Sequence, residues 1–314
     1  MVNSYRDYVK SMQERFRLRA VSEEDENCID ESYKQGYVFT KACADHNLFK
    51  PELGKLLPLH ERHKWFRSMT SSQALTVSVF GTLIQNQDLK IIAGLECDDG
   101  ETLLSKGVLP ASAIFEHPAV DLEKGKRKTQ IDVFISGGSL RIAIECKLME
   151  DKVGSCSESR DGKEADVYGQ IPGFATCHRV RLNGARYWEF LKDISDIEPE
   201  GPWCSCPLKD PYQIARNVLA ASLDPETSGL GGEGIALLLY DSNNPRFSPG
   251  GKADKIFFEF RNHLNDPSIL KKASWQSFAK LIEEQGNRPE HSELLGYLSS
   301  KYGIDPRDVS NALR

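Results

Sequence analysis

The stretch Gln130-Ile131-Asp132-Val133-Phe134-Ile135-Ser136-Gly137-Gly138-Ser139-Leu140-Arg141-Ile142-Ala143-Ile144-Glu145-Cys146-Lys147 decides the fold. Two apolar runs, Ile131 to Ile135 and Leu140 to Ile144, flank a glycine pair, and glycine supplies the positive φ that a tight hairpin turn requires. The runs predict two paired antiparallel strands. With Gly137 and Gly138 as the central turn residues, Ile135 pairs with Leu140 and Asp132 with Ala143, leaving Glu145 as the diagonal neighbour of Asp132. Alternation along each strand then turns Asp132, Ala143, Glu145 and Lys147 to one face. A three-residue turn with a bulge would shift the register by one and send Asp132 to the opposite face.

Diagonal neighbours lie roughly 7 to 8 Å apart at the backbone, close enough for two carboxylates to share a Mg²⁺ at about 2.1 Å from each oxygen. Burying two like charges together is costly unless a cation compensates them, so the pair asks for an ion. The plainer reading makes Glu145 and Lys147 solvent-facing strand residues and Asp132 a hairpin charge. Runs of Ile, Val, Phe and Leu on both strands argue instead for a sheet covered on both faces, where a charged stripe marks a cleft.

At these residues the chain resembles the PD-(D/E)XK nucleases, the restriction-endonuclease-like superfamily, in which an Asp and a Glu-x-Lys on adjacent strands bind Mg²⁺ and position water. Asp132, Glu145 and Lys147 occupy those places, Cys146 fills the variable middle position, and Ile131 stands where a Pro often precedes the Asp. Further segments resemble a bacterial group of restriction-type endonucleases in that superfamily: Ser71 to Leu75, Val79-Phe80-Gly81, Phe115-Glu116, Gln130 to Ile135 and Tyr212 to Asn217. The likeness spans about residues 60 to 280. It implies an α/β fold with a restriction-endonuclease-like core, a mixed β-sheet flanked by helices, carrying N- and C-terminal helical additions. It also implies Mg²⁺ as cofactor, with Mn²⁺ as a substitute, DNA as partner, and a homodimer where both strands are cut.

Around this centre, Ser71 or Ser72 is a suitable N-cap for an apolar helix carrying Leu75, Val79 and Ile84. Gln73 falls in its first turn, and the resemblance implies that Gln73 or Ser72 offers a polar group to the metal site; simple capping is the alternative. Ala113-Ile114-Phe115-Glu116-His117 reads as the first core strand, ending near Pro118, and makes Glu116 a third acidic candidate for the metal. An edge-strand charge is the plainer reading of Glu116. Lys124-Gly125-Lys126-Arg127-Lys128 places four positive charges in five residues. Such a run is either a solvated loop or a phosphate contact through Lys124, Lys126, Arg127 and Lys128.

Gln170 after the hairpin is a weaker candidate that the resemblance places near the site. Tyr212 and Arg216, like Gln213 and Asn217, fall at helical spacing, on a helix that either bonds neighbouring loops or serves the substrate. Gly234 to Tyr240 is a fully apolar run and reads as a buried central strand. Residues 1–64, rich in charge with scattered aromatics, read as helices packed on the core; residues 65–260 form the nuclease core, and residues 261–314 a helical C-terminal region.

The chain has 314 residues, 39% of them hydrophobic and 27% charged, enough to bury a large core in one elaborated domain. A net charge of −6 excludes a protein that coats nucleic acid through a general basic excess, but leaves room for a nuclease with a local basic lining. No apolar stretch approaches 18 residues and no N-terminal signal pattern is present, so the expected location is cytoplasmic, with reduced thiols. A Zn or Fe–S site using Cys204 and Cys206 with Cys156 or Cys177 lacks the paired Cys-x-x-Cys spacing. His60-Glu61-Arg62-His63 offers two histidines without a third ligand. The expectation is a Mg²⁺-dependent DNA endonuclease with Asp132, Glu145, Lys147, Glu116 and Gln73 at its catalytic centre and Asp132, Glu145 and Glu116 on the metal. The alternatives are a binding or scaffolding protein that retains the fold, and more remotely a hydrolase of some other phosphoester.

Overall fold

A computed structural model of the chain describes residues 2–20, 27–33, 37–104, 109–119, 121–124, 129–156, 179, 184–198, 206–224, 227, 229–231 and 233–311. The apolar runs read above form β2 (Gln130–Gly137) and β3 (Leu140–Cys146), joined as an antiparallel hairpin. The turn lies one residue further on than the glycine pair suggests. Gly137 pairs with Leu140 and Val133 with Ile144, so Gly138 and Ser139 are the central residues. Gly138 carries the positive φ, +60°, whereas Gly137 is needed for another reason: a Cβ there would stand 2.3 Å from the Leu109 carbonyl oxygen. Continuing the observed register puts Asp132 across from Glu145 rather than from Ala143. The slip takes one residue from each strand, so the alternation of faces survives and Asp132, Glu145 and Lys147 still share a side.

β1 (Ser112–Pro118) lies antiparallel on the other side of β2. β3 runs parallel to β6 (Glu233–Tyr240), and β6 to β7 (Leu270–Ser274), giving a mixed five-stranded sheet in the order β1-β2-β3-β6-β7. The apolar run from Gly234 is thus the buried strand its composition predicts. A short ribbon, β4 (Leu223–Asp224) with β5 (Gly229–Leu230), stands outside this sheet. Parallel pairing of β3 and β6 needs a crossover, and the helix Tyr212–Ser222 in that connection packs back on both strands.

Alternation along the strands divides the interior in two. Ile142, Ile144, Leu237 and Leu239 face the helices Ser72–Gln85, Trp275–Gln285 and Pro289–Tyr302. Ala236, Leu238 and Tyr240 face the helices Tyr187–Ile194, Tyr212–Ser222 and Lys252–Asn262. The sheet is therefore covered on both faces, the condition that makes a charged stripe on β3 a buried feature. No described helix is long and apolar enough to cross a membrane.

Among the described residues before 64, an α-helix, Val2–Ala20, and short 3₁₀ turns at Ala44–Asn47, Pro51–Leu56 and Leu59–Glu61 stand where helices are expected. Leu48, Leu53 and Leu57 nonetheless enter the same core as Leu294 and Leu298. A disulfide joins Cys28 to Cys43, with Cα atoms 5.5 Å apart, which corrects the expectation of reduced thiols for these two residues. Their sequence separation of 15 closes a loop that contains Tyr33 and Lys41. Removing such a crosslink releases loop-closure entropy worth about 3 kcal/mol. Cys43→Ser is expected to lower the midpoint of unfolding and to open residues 28–43 to limited proteolysis ahead of the sheet. Equal stability of the oxidised protein and the variant, by urea unfolding, would contradict this.

Candidate active site

β1, β2 and β3 each contribute one acid to the same row of the sheet. Phe115 pairs with Val133 and His117 with Ile131, so Glu116 falls opposite Asp132, and the β2–β3 register puts Asp132 opposite Glu145. Glu116 itself drops out of the ladder because its φ is +49°, in the left-handed region that a non-glycine residue adopts only under constraint. Backbone strain of this kind, about 1 to 3 kcal/mol, gathers at functional sites. The Gln73 side chain, in the first turn of the helix capped by Ser71, holds Glu116 in this pose: its Nε2 donates to Glu116 Oε1, while its Oε1 accepts from the His63 backbone N–H at 2.8 Å. Ser71, not Ser72, is the cap, accepting from the Ala74 N–H at 3.2 Å; the Ser72 hydroxyl donates to Glu150 instead, at 2.7 Å.

Glu145 is 3% exposed and both its oxygens are engaged. Oε1 accepts from Lys147 Nζ at 2.7 Å; Oε2 accepts from Arg216 Nη2 at 3.0 Å and from Asn217 Nδ2 at 3.3 Å. Lys147 Nζ also donates to Gln213 Oε1 at 2.9 Å. Gln213, Arg216 and Asn217 are spaced i, i+3, i+4 on the crossover helix, so one turn of that helix presents all three to the row. Sequence spacing left these residues between a loop-bonding and a substrate role; the structure brings them to Glu145 and Lys147. Tyr212 turns elsewhere, donating to Glu123 at 2.9 Å.

The backbone at the strand end is fixed on every side. The Cys146 N–H donates to Asp132 Oδ2 at 2.7 Å, the Lys147 N–H to the Leu239 carbonyl at 2.8 Å, and the Trp275 indole to the Lys147 carbonyl at 3.0 Å. Asp132 Oδ1 receives no hydrogen bond among the described residues.

The electrostatics follow from burial with too few cations. Burial, then Glu145 and Glu116, push the Asp132 carboxyl well above the usual carboxylate range. Burial lifts Glu116 to about 7, with Glu145 and Glu61 adding to the rise and the Gln73 bond opposing it. Burial alone would discharge Lys147, but Glu145, Glu150 and Asp132 hold its ammonium above the ordinary lysine value. Cys146, buried beside Asp132, is a thiol pushed far up and chemically inert.

Three acids against Lys147 and Arg216, with Asp132 Oδ1 unbonded, suit a divalent cation ligated by oxygen. The row is open rather than gathered. Among the described residues only Cys28, Cys43 and His46 bring ligand atoms all within 4.8 Å of one another, and two of those are tied in the disulfide. Glu116 is held by Gln73, and Glu145 by Lys147 and Arg216, so the cation would have to draw the carboxyl groups together. Of the other expected residues, Lys124 is exposed, while Lys126, Arg127, Lys128, Gln170, Cys177 and Cys204 lie outside the described residues.

Because Glu116 takes up its proton more readily folded than unfolded, its contribution to stability is full below about 4.5 and is lost as pH rises through about 7. The metal-free protein is therefore expected to lose thermal stability between pH 5 and pH 8, and Mg²⁺ or Mn²⁺ to restore it at pH 8 but hardly at pH 5. Glu116→Gln flattens the profile. A thermal midpoint indifferent to the cation at pH 8 would contradict the assignment of the row.

No curated protein and no solved structure is significantly similar to the chain. A family profile described as "Restriction Endonuclease associating with ARP" matches residues 23–303, a span that takes in the sheet, the carboxylate row and the crossover helix. The chain belongs to that family.

Proposed function

We propose that the protein is a divalent-cation-dependent DNA endonuclease of the PD-(D/E)XK type, serving defence or repair. The observation that carries the reading is the alignment of Glu116, Asp132 and Glu145 across three neighbouring strands, with Lys147 two residues beyond Glu145 on the same face. Family membership supports an endonuclease acting on DNA.

Glu116, Asp132 and Glu145 would hold Mg²⁺, or Mn²⁺ in its place, which supplies Lewis-acid activation of water and neutralises charge building on the phosphoryl oxygens. Lys147, permanently charged and fixed by Glu145 and Gln213, orients the attacking water and offsets the same charge; it is a positioner and not a base. Arg216 and Asn217 hold the Glu145 carboxyl in place, and Gln73 does this for Glu116. The basic run Lys124, Lys126, Arg127 and Lys128 would meet DNA phosphates and give binding a steep salt dependence. Cutting both strands calls for two such sites, hence a homodimer on duplex substrate.

Purified protein incubated with plasmid, linear and single-stranded DNA in Mg²⁺, Mn²⁺ or EDTA tests the reading. Cutting is expected only with metal, and Asp132→Ala and Lys147→Ala are each expected to reduce it at least about 10²-fold while DNA affinity stays within a few-fold. Full activity in either variant would overturn the assignment. DNA binding without cutting on any substrate would move the protein to the class of binding modules that keep a nuclease fold.

A further inference from the structure

A second feature beside the carboxylate row has no part in the scheme above. A cleft of about 490 Å³ opens between the segment His63 to Arg67 and the loop closed by Cys28–Cys43, with Tyr33, Lys41, Leu59, Lys64 and Trp65 on its walls. Its volume falls in the range of about 300 to 1,000 Å³ typical of small-molecule sites. Trp65 is 41% exposed and Leu59 78%, an outlay of apolar surface that folding alone does not explain. The Tyr33 and Trp65 rings meet edge to face, with centroids 5.7 Å apart, so their arrangement does not stack one ring face on the other.

The cations of the cleft fall into two groups. Arg67 is committed to Asp30 and to the Phe39 carbonyl, both at 2.6 Å, and Arg62 to Asp45 at 2.7 Å and the Gly54 carbonyl at 2.8 Å. Those guanidinium groups build the walls. Lys41 and Lys64 are exposed and make no ion pair among the described residues; Lys64 Nζ merely rests 5.4 Å from the centre of the Trp65 ring. Aromatic faces with mobile ammonium groups match a nucleobase with its flanking phosphates. A free phosphate or an acidic peptide would call on the guanidinium groups, and these are spent.

The cleft also borders the proposed chemistry. The His63 N–H that helps form its wall donates to Gln73, and Gln73 donates to Glu116; the Glu61 carbonyl accepts from the same amide at 3.2 Å. We infer that this cleft receives an unpaired nucleobase of the DNA substrate, stacked on Trp65 and bordered by Tyr33, with its phosphates on Lys41 and Lys64, next to the phosphodiester that is cut. The inference rests on the nuclease reading for the identity of the polymer, and adds that the enzyme selects DNA with an unpaired or extruded base.

Fluorescence anisotropy in EDTA, where no cutting occurs, compares a duplex carrying one mismatched base with the same duplex carrying an abasic residue at that place. The wild-type protein is expected to favour the mismatched base at least tenfold. Trp65→Ala abolishes the preference and Trp65→Phe keeps it; Lys41→Glu with Lys64→Glu weakens both complexes at least tenfold without altering thermal stability. Equal affinity for the two duplexes, or a preference that survives in Trp65→Ala, overturns the inference. Metal-dependent cutting with no base preference removes the cleft's role and spares the nuclease, whereas a base preference that depends on Trp65 in a protein that never cuts supports the cleft and removes the nuclease.

Discussion

The buried carboxylate of Glu145 is the constraint on which the rest of the site depends. A carboxylate 3% exposed near the end of the middle strand of the sheet persists only with its charge matched, and the match comes from two directions. Lys147 comes from its own strand, two residues on; Arg216 and Asn217 come from the crossover helix that the parallel β3–β6 pairing requires. The ion pairs therefore lock the helix to the strand where the site is. Removing one partner of such a pair costs about 3 to 5 kcal/mol, because it leaves the other charge buried and unmatched. Stability and chemistry share these contacts.

The acid row costs the fold in two further ways. Glu116 takes a left-handed backbone conformation and Asp132 is half-buried with one oxygen unbonded, and neither feature improves the packing of a sheet. Both are understandable if the row is completed by a divalent cation, which would offset the burial and the repulsion that raise the two carboxyl groups. Gln73 matters here as a brace: it ties the strained Glu116 to the chain at Glu61 and His63, and so to the wall of the neighbouring cleft.

Much of this was legible in the sequence because strand alternation is insensitive to a paired slip. The turn was placed at Gly137-Gly138 and lies at Gly138-Ser139, yet Asp132, Glu145 and Lys147 kept a common face. The strand Glu233–Tyr240 is visible as the unbroken apolar run from Gly234, and the helix cap as Ser71 or Ser72, of which Ser71 is the one used. β7 was not visible: Leu270-Lys271-Lys272-Ala273-Ser274 reads as polar, and only long-range partners make it a buried strand. Lys271 meets Asp99 and Glu101, and Lys272 meets Asp254 and Asp98. Arg216 and Asn217 carried a signal, the i, i+4 spacing of Tyr212 with Arg216 and of Gln213 with Asn217, but nothing local said which strand they would face. The Cys28–Cys43 link was hidden for the same reason, since spacing alone does not pair cysteines.

The central claim, that Glu116, Asp132 and Glu145 form a divalent-cation site, is tested most directly by crystals soaked in Mn²⁺ and measured for anomalous scattering. A peak is expected at the row formed by Glu116, Asp132 and Glu145. A map with no peak at the row, or with Mn²⁺ bound only elsewhere on the molecule, would contradict it.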